Sequence, residues 1–207
     1  MNNLIDSLIK DGYLRTPQII EAFKKIERAD FMPEESKGFA GVNEAFSIGH
    51  GQTISQPLVV AFMIEKLKPE KDDKILDIGS GSGWTTSLLS EIVGEKGRVI
   101  GVELVSELAE FGRKNASKYS FVEKGIADFV CADGSLGFPK EAPFDKILCS
   151  AAAKEKIPSS WKEQLKIGGR IVTPIANSIW LYIKKSENDF EKKEFPGFAF
   201  VPLVGNN

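Results

Sequence analysis

Lys74-Ile75-Leu76-Asp77-Ile78-Gly79-Ser80-Gly81-Ser82-Gly83-Trp84 decides the fold. Ile75 to Ile78 is a short, mostly apolar run between a charged stretch and Gly79, the pattern of a buried strand, and Trp84 to Val93 continues with helical spacing. Between them Gly79, Gly81 and Gly83 permit a tight turn, and residues without Cβ let backbone N–H groups come close to a ligand. A pyrophosphate dinucleotide fingerprint would need a small residue three positions after its second glycine; that position is Trp84, which speaks against nicotinamide and flavin dinucleotides.

Downstream, the alternation persists: strand Arg98 to Glu103, helix Val105 to Lys118, strands Phe129 to Ala132 and Asp145 to Ser150, a helical piece around Ser160 to Leu165 and a strand at Arg170 to Pro174. Such βαβα order predicts a doubly wound α/β architecture, a parallel sheet with helices on both faces. Ser178 to Lys185 and Phe195 to Leu203 read as two strands joined by the charged turn Ser186 to Glu194, an antiparallel hairpin closing one sheet edge. Upstream, Asn3 to Ile9 and Gln18 to Ile26 predict two helices, the second opening on Thr16 as N-cap with Pro17 in the first turn. Gly38 to Gln52 is irregular, and Thr53-Ile54-Ser55-Gln56-Pro57 leads into a helix from Val59 to Leu67. One domain over 1–207 is expected, with 1–57 as a small helical cap and acceptor loop and 58–207 as the core with its hairpin.

Composition narrows the function classes. The chain has 27 basic against 29 acidic side chains, a net charge near −2, which gives no electrostatic reason to bind nucleic acid. Neither a signal-peptide pattern nor an apolar run of about 18 residues is present, so a cytoplasmic protein without a membrane partner is expected. Cys131 and Cys149 each lie in an apolar run and read as buried strand residues. His50 is the one histidine, so a zinc site or a Ser-His-Asp triad would have to be built around it; no metal is expected. His50 itself reads as a packing or hydrogen-bonding residue of its loop, and Trp84, Trp161 and Trp180 as packing residues. No interface is legible from spacing, and a monomer is the expectation.

Acids stand at three successive strand ends, Asp77, Glu103 and Asp133. In open α/β sheets ligands bind outside the carboxyl ends of the strands, and a carboxylate at Glu103 can accept both hydroxyl hydrogen bonds of a ribose. Either acid alone could equally be a solvated strand end; the set of three is harder to explain that way. The spacing Asp77, Gly79, Gly81, Gly83 resembles motif I of class I methyltransferases. This resemblance implies a Rossmann-like fold and S-adenosyl-L-methionine as cofactor, with S-adenosyl-L-homocysteine as product. It also implies that Asp133 faces the adenine amino group, and that Ser80, Leu104 and Gly134 join the cofactor contacts.

A second resemblance concerns the methyl acceptor. Ile48-Gly49-His50-Gly51-Gln52-Thr53-Ile54-Ser55-Gln56-Pro57 is similar to the signature of protein-L-isoaspartate O-methyltransferases. Arg28-Ala29-Asp30-Phe31-Met32-Pro33, Glu107-Leu108-Ala109-Glu110, Ala142-Pro143-Phe144-Asp145, Gln164 to Arg170 and Phe200-Val201-Pro202-Leu203 continue the likeness in order over most of the chain. The resemblance implies methylation of the α-carboxylate of L-isoaspartyl residues in damaged proteins and peptides. Spontaneous succinimide formation from the ester then starts the return to aspartate. It implies Ser55 as the active-site serine, Thr53, Ile54 and Ser55 as a loop bordering cofactor and acceptor, and Ile54, Ser55, Val201, Pro202 and Leu203 as acceptor contacts. A carboxylate is already a nucleophile at neutral pH, so Ser55 would orient it, and no strong general base is needed. An N-cap role for Ser55 in the following helix is compatible with this. The likeness breaks at Gly41 and Asn43, where many relatives carry Tyr and Asp. Two other readings stay open: a class I methyltransferase with another acceptor, such as a small molecule or a tRNA base, and a non-catalytic S-adenosylmethionine-binding adaptor. Against amine methylation of nucleic acids, the strand from Asp145 runs into Ala151-Ala152-Ala153 rather than an Asn-Pro-Pro-Tyr type motif.

Overall fold

The computed structural model describes residues 2–153 and 156–203. A seven-stranded sheet forms its centre, built from β3 (Lys74–Ile78), β4 (Arg98–Glu103), β5 (Ala127–Cys131), β6 (Phe144–Cys149), β7 (Leu165–Ile175), β8 (Ser178–Lys184) and β9 (Phe190–Pro196). The order across the sheet is β5-β4-β3-β6-β7-β8-β9. Strands β3 to β7 pair in parallel and β8-β9 form an antiparallel hairpin, as the sequence predicts, and β7-β8 is antiparallel as well. The chain runs outward from β3 to β5 and returns to lay β6 on the other side of β3, which opens a crevice at the carboxyl end of β3.

Alternation along each strand sorts side chains between two cores. Ile75, Val99, Phe129 and Leu148 face helices α1 (Asn2–Lys10), α2 (Pro17–Lys25), α3 (Pro57–Leu67), α4 (Trp84–Val93) and α5 (Ser106–Ser117). Leu76, Ile100, Ile147 and Ile171 face the other side, where Trp161 of the short helix α6 (Ser159–Glu163) is fully buried and donates Nε1–H to the Gly134 carbonyl at 2.8 Å. Helices α4 and α5 approach closely beneath the glycine turn. A Cβ on Gly83 would lie 2.9 Å from the Gly112 backbone, so side chains are excluded there.

Helix α2 packs on α3 and α4 and α1 packs on α2, with the Phe23 ring meeting Trp84 edge-on at 5.7 Å. Thr16 precedes α2 and Pro17 starts it, but the Thr16 hydroxyl does not cap its own helix. It donates instead to Glu65 on α3 at 2.7 Å, and Glu65 also accepts the backbone N–H groups of Arg15 and Thr16 at 2.8 Å. A carboxylate from another helix thus performs the capping, a partner invisible to local spacing.

Three further expectations need correction. The irregular stretch contains a two-stranded hairpin, β1 (Phe46–Gly49) with β2 (Gln52–Ile54), turning through His50 and Gly51. Both turn residues have positive φ, the backbone handedness that suits a two-residue hairpin loop. Second, the last strand is Phe190–Pro196, not Phe195 to Leu203; most of the charged segment assigned to the turn is the strand itself, and the reversal is confined to Ser186 to Asp189. Its lysines and glutamates are exposed because β9 is a sheet edge, where charge deters pairing with other chains. Third, Cys149 is fully buried, but Cys131 ends β5 exposed, with Sγ 3.6 Å from the Leu104 carbonyl. No described helix is long and apolar enough to cross a membrane.

Candidate active site

A cavity of about 600 Å³ opens at the carboxyl ends of β3 and β4, a size suited to a small-molecule ligand. Three segments enclose it: the glycine turn after β3, the hairpin arm ending at Ser55, and the C-terminal stretch Ala199 to Leu203. The last is fixed by a short parallel bridge, in which the Ala152 N–H donates to the Val201 carbonyl and the Leu203 N–H to the Ala152 carbonyl, both at 2.8 Å.

Of the residues singled out from sequence, Gly79, Ser80, Gly81, Glu103, Leu104 and Gly134 form one wall. Thr53, Ile54 and Ser55 form a second, and Val201, Pro202 and Leu203 a third. The wall at Gly81 is narrow: a Cβ there would come within 3.2 Å of Ile48 Cδ1 on the hairpin. Glu103, only 7% exposed, has its carboxylate fixed by three backbone donors, Gly81 N–H on Oε2 at 2.9 Å and Leu104 and Val105 N–H on Oε1 at 2.8 and 3.1 Å. The strand end and the glycine turn are thereby locked to each other.

Asp77, Gly83 and Asp133 do not reach the cavity wall. Asp77 is wholly buried behind the turn, where its Oδ2 accepts the Thr86 hydroxyl at 2.7 Å and Oδ1 has no partner among the described residues. Burial, with a smaller push from the Glu103 charge, outweighs the Thr86 bond and drives its carboxyl up to about 7. Gly83 starts α4 at positive φ and serves the close approach to α5. The Asp133 carboxylate accepts the Ser135 N–H at 2.9 Å and caps the short 3-10 turn at Gly134–Leu136.

The chain matches the family described as Protein-L-isoaspartate(D-aspartate) O-methyltransferase over residues 1–207. A protein-L-isoaspartate O-methyltransferase of Methanopyrus kandleri is 39% identical over 206 residues, covering 98% of this chain and 90% of that one. The chain belongs to this family. A solved protein-L-isoaspartate O-methyltransferase superposes with a TM-score of 0.87 at 28% identity, over 99% of this chain and 66% of that one. The same fold recurs at a TM-score of 0.88 and 22% identity in a Plasmodium falciparum protein of that description, solved with S-adenosyl-L-homocysteine; the match covers 99% of this chain and 98% of that one.

Within this isoaspartate methyltransferase fold, several residues at the site went unassigned or were misjudged from sequence. Trp84 lines the cavity as well as packing, and its buried indole N–H has no partner among the described residues. His50 is an exposed turn residue at the cavity rim and makes no hydrogen bond within its loop among the described residues. Ser55 is not the N-cap of α3; Gln56 holds that position, and the Asn43 side chain accepts the Leu58 N–H at 3.0 Å instead. Asn43, where the family likeness breaks, therefore ties the loop before β1 to α3. Arg28 is fully buried beneath that loop, although its neighbours Lys24, Lys25, Glu27 and Asp30 give the segment a charged, surface-like composition.

Proposed function

We propose that this cavity binds S-adenosyl-L-methionine along the glycine turn and presents to it the α-carboxylate of an L-isoaspartyl residue in a damaged protein or peptide. The convergence of the Glu103-locked glycine turn and the Thr53–Ser55 arm on one cavity carries this reading.

The chain's own groups suit that cofactor. Glu103 stands at the strand end with one acceptor site left on Oε2 beyond its three backbone bonds, where a ribose hydroxyl could donate. Gly79, Ser80 and Gly81 bring backbone close to the cavity, and Leu104 and Gly134, which also line it, would hold the purine. Asp77 and Asp133 act indirectly, Asp77 by supporting the turn and Asp133 by shaping the turn that carries Gly134. S-adenosyl-L-methionine, when bound, supplies a methyl group on a sulfonium.

The acceptor is held by Ile54 and Ser55 on one side and Val201, Pro202 and Leu203 on the other. No hydrogen bond within the described residues occupies the Ser55 hydroxyl, which is therefore available to orient the acceptor carboxylate. No lining side chain among the described residues is a lysine or arginine, and none is needed as base, because the acceptor is ionised at neutral pH. The apolar lining of Ile54, Ile78, Val102, Phe200 and Leu203 thins the water around reactants whose opposite charges disappear as ester and thioether form. The ester then cyclises without further help as the following backbone nitrogen displaces methanol, and the resulting succinimide hydrolyses in part to normal aspartate.

Labelled S-adenosyl-L-methionine offered with an isoaspartyl peptide and its aspartyl twin tests the proposal. Base-labile label on the isoaspartyl peptide alone is expected. Label on neither, with cofactor bound, would favour another acceptor or a non-catalytic binder.

A further inference from the structure

Arg28 is an unusual arginine. It is fully buried, and no carboxylate pairs with it among the described residues; burial alone pulls its pKa down, to about 10, so it remains a cation at neutral pH. Its charge is accommodated by carbonyls. Nη1 donates to Ala40 and Val42 at 3.3 and 3.0 Å, and Nη2 to Glu44 and Ser55 at 2.7 and 3.1 Å, which uses all four terminal N–H bonds. The guanidinium carbon lies 5.6 Å from the Phe46 ring centre and 5.3 Å from that of Trp84, within cation–π reach of both.

These contacts connect separate parts of the chain. Ala40, Val42 and Glu44 lead into β1, Phe46 lies in it, and Ser55 follows β2; Trp84 begins α4 on the donor side of the cavity. The hairpin β1-β2 shares no strand pairing with the main sheet, so its placement depends on such side-chain ties. A buried polar network of this kind fixes one arrangement because every alternative leaves carbonyls and a cation unpaired.

We infer that Arg28 is a positioning residue for the acceptor, a planar fork whose four terminal N–H groups set the loop from Ala40 to Ser55 against the cofactor wall without itself lining the cavity, while its buried Nε has no partner among the described residues. The inference rests on the acceptor being held at the Ser55 wall. The planar fork is what the role requires. A lysine would retain the charge, but its three donors sit on one nitrogen and cannot span four carbonyls.

The test compares wild type, Arg28→Lys and Arg28→Met in three measurements: affinity for S-adenosyl-L-homocysteine by calorimetry, kcat and KM for an isoaspartyl peptide, and hydrogen exchange of the 40–55 amides. Both variants are expected to raise the peptide KM by about tenfold or more, given what truncating a charged hydrogen-bond donor costs. Homocysteine-product affinity should stay within about twofold of wild type, and amides 40–55 should exchange faster. Wild-type KM and exchange in Arg28→Lys would overturn the inference in favour of charge alone. Product affinity falling in step with KM would overturn it in favour of a general structural role. If the Arg28 variants do not fold, Phe46→Leu, which removes one aromatic face, is expected to raise KM and 40–55 exchange with product affinity kept; no change there overturns the inference. An inactive wild type would sink the proposed acceptor, whereas unchanged loop exchange in the variants would sink the role of Arg28.

Discussion

The Gly81 N–H donates to Glu103 Oε2 at 2.9 Å, joining the middle of the glycine turn to the end of the neighbouring strand. Because both Glu103 oxygens accept backbone N–H groups, Glu103→Gln would set its amide donor against another donor. The expected result is a loss of about 1–3 kcal/mol in stability, the usual range for an unsatisfied buried group. Affinity for S-adenosyl-L-homocysteine should fall at least about tenfold by calorimetry.

Asp77 predicts a pH dependence. Its carboxyl titrates near 7 in the folded chain against an ordinary value of 3.8, so between those values the folded state holds a proton that the unfolded state has lost. Stability from this group is therefore fully present below about pH 4, falls as pH rises to about 7 and is flat above. Asp77→Asn removes the charge and should flatten that slope. Denaturant titrations at pH 5 and pH 8 should find the variant gaining on wild type by on the order of 2 kcal/mol between the two. A wild-type slope of the opposite sign would refute the raised carboxyl.

Ser55→Ala separates orientation from binding. With the hydroxyl gone and the backbone carbonyl still held by Arg28, S-adenosyl-L-homocysteine affinity should be unchanged. Turnover of the isoaspartyl peptide should slow by roughly ten- to a hundredfold, the loss expected when a positioning contact acts mainly in the transition state.

Glu65→Ala withdraws three acceptor contacts from the start of α2, two backbone N–H groups and one hydroxyl. A drop of about 1–2 kcal/mol is expected from loss of a helix cap, read as a lower thermal midpoint. Activity per folded molecule should survive, since Glu65 is remote from the cavity lining.

What the sequence revealed followed physical range. The parallel strands were legible because burial on both faces makes them apolar runs, and the glycine turn because three glycines stand within five positions. β9 was hidden: an edge strand exposed on both faces has the composition of a turn. The hairpin β1-β2 was hidden by its length, and Glu65 and Arg28 because their partners lie in distant segments. The same limit explains Asp77 and Gly83. Motif spacing places them beside the ligand, but the structure puts one behind the turn and gives the other to helix packing.

The hairpin arm has no strand pairing with the main sheet, whereas the Glu103-locked turn belongs to its centre. On the proposed assignment, the hairpin arm thus supplies acceptor contacts from a stretch of chain separate from the turn that holds the donor. Natural drift, or a deliberate graft of residues 40–56 that retains Arg28, can retune which damaged sequences are accepted while the machinery for holding the methyl donor is inherited intact.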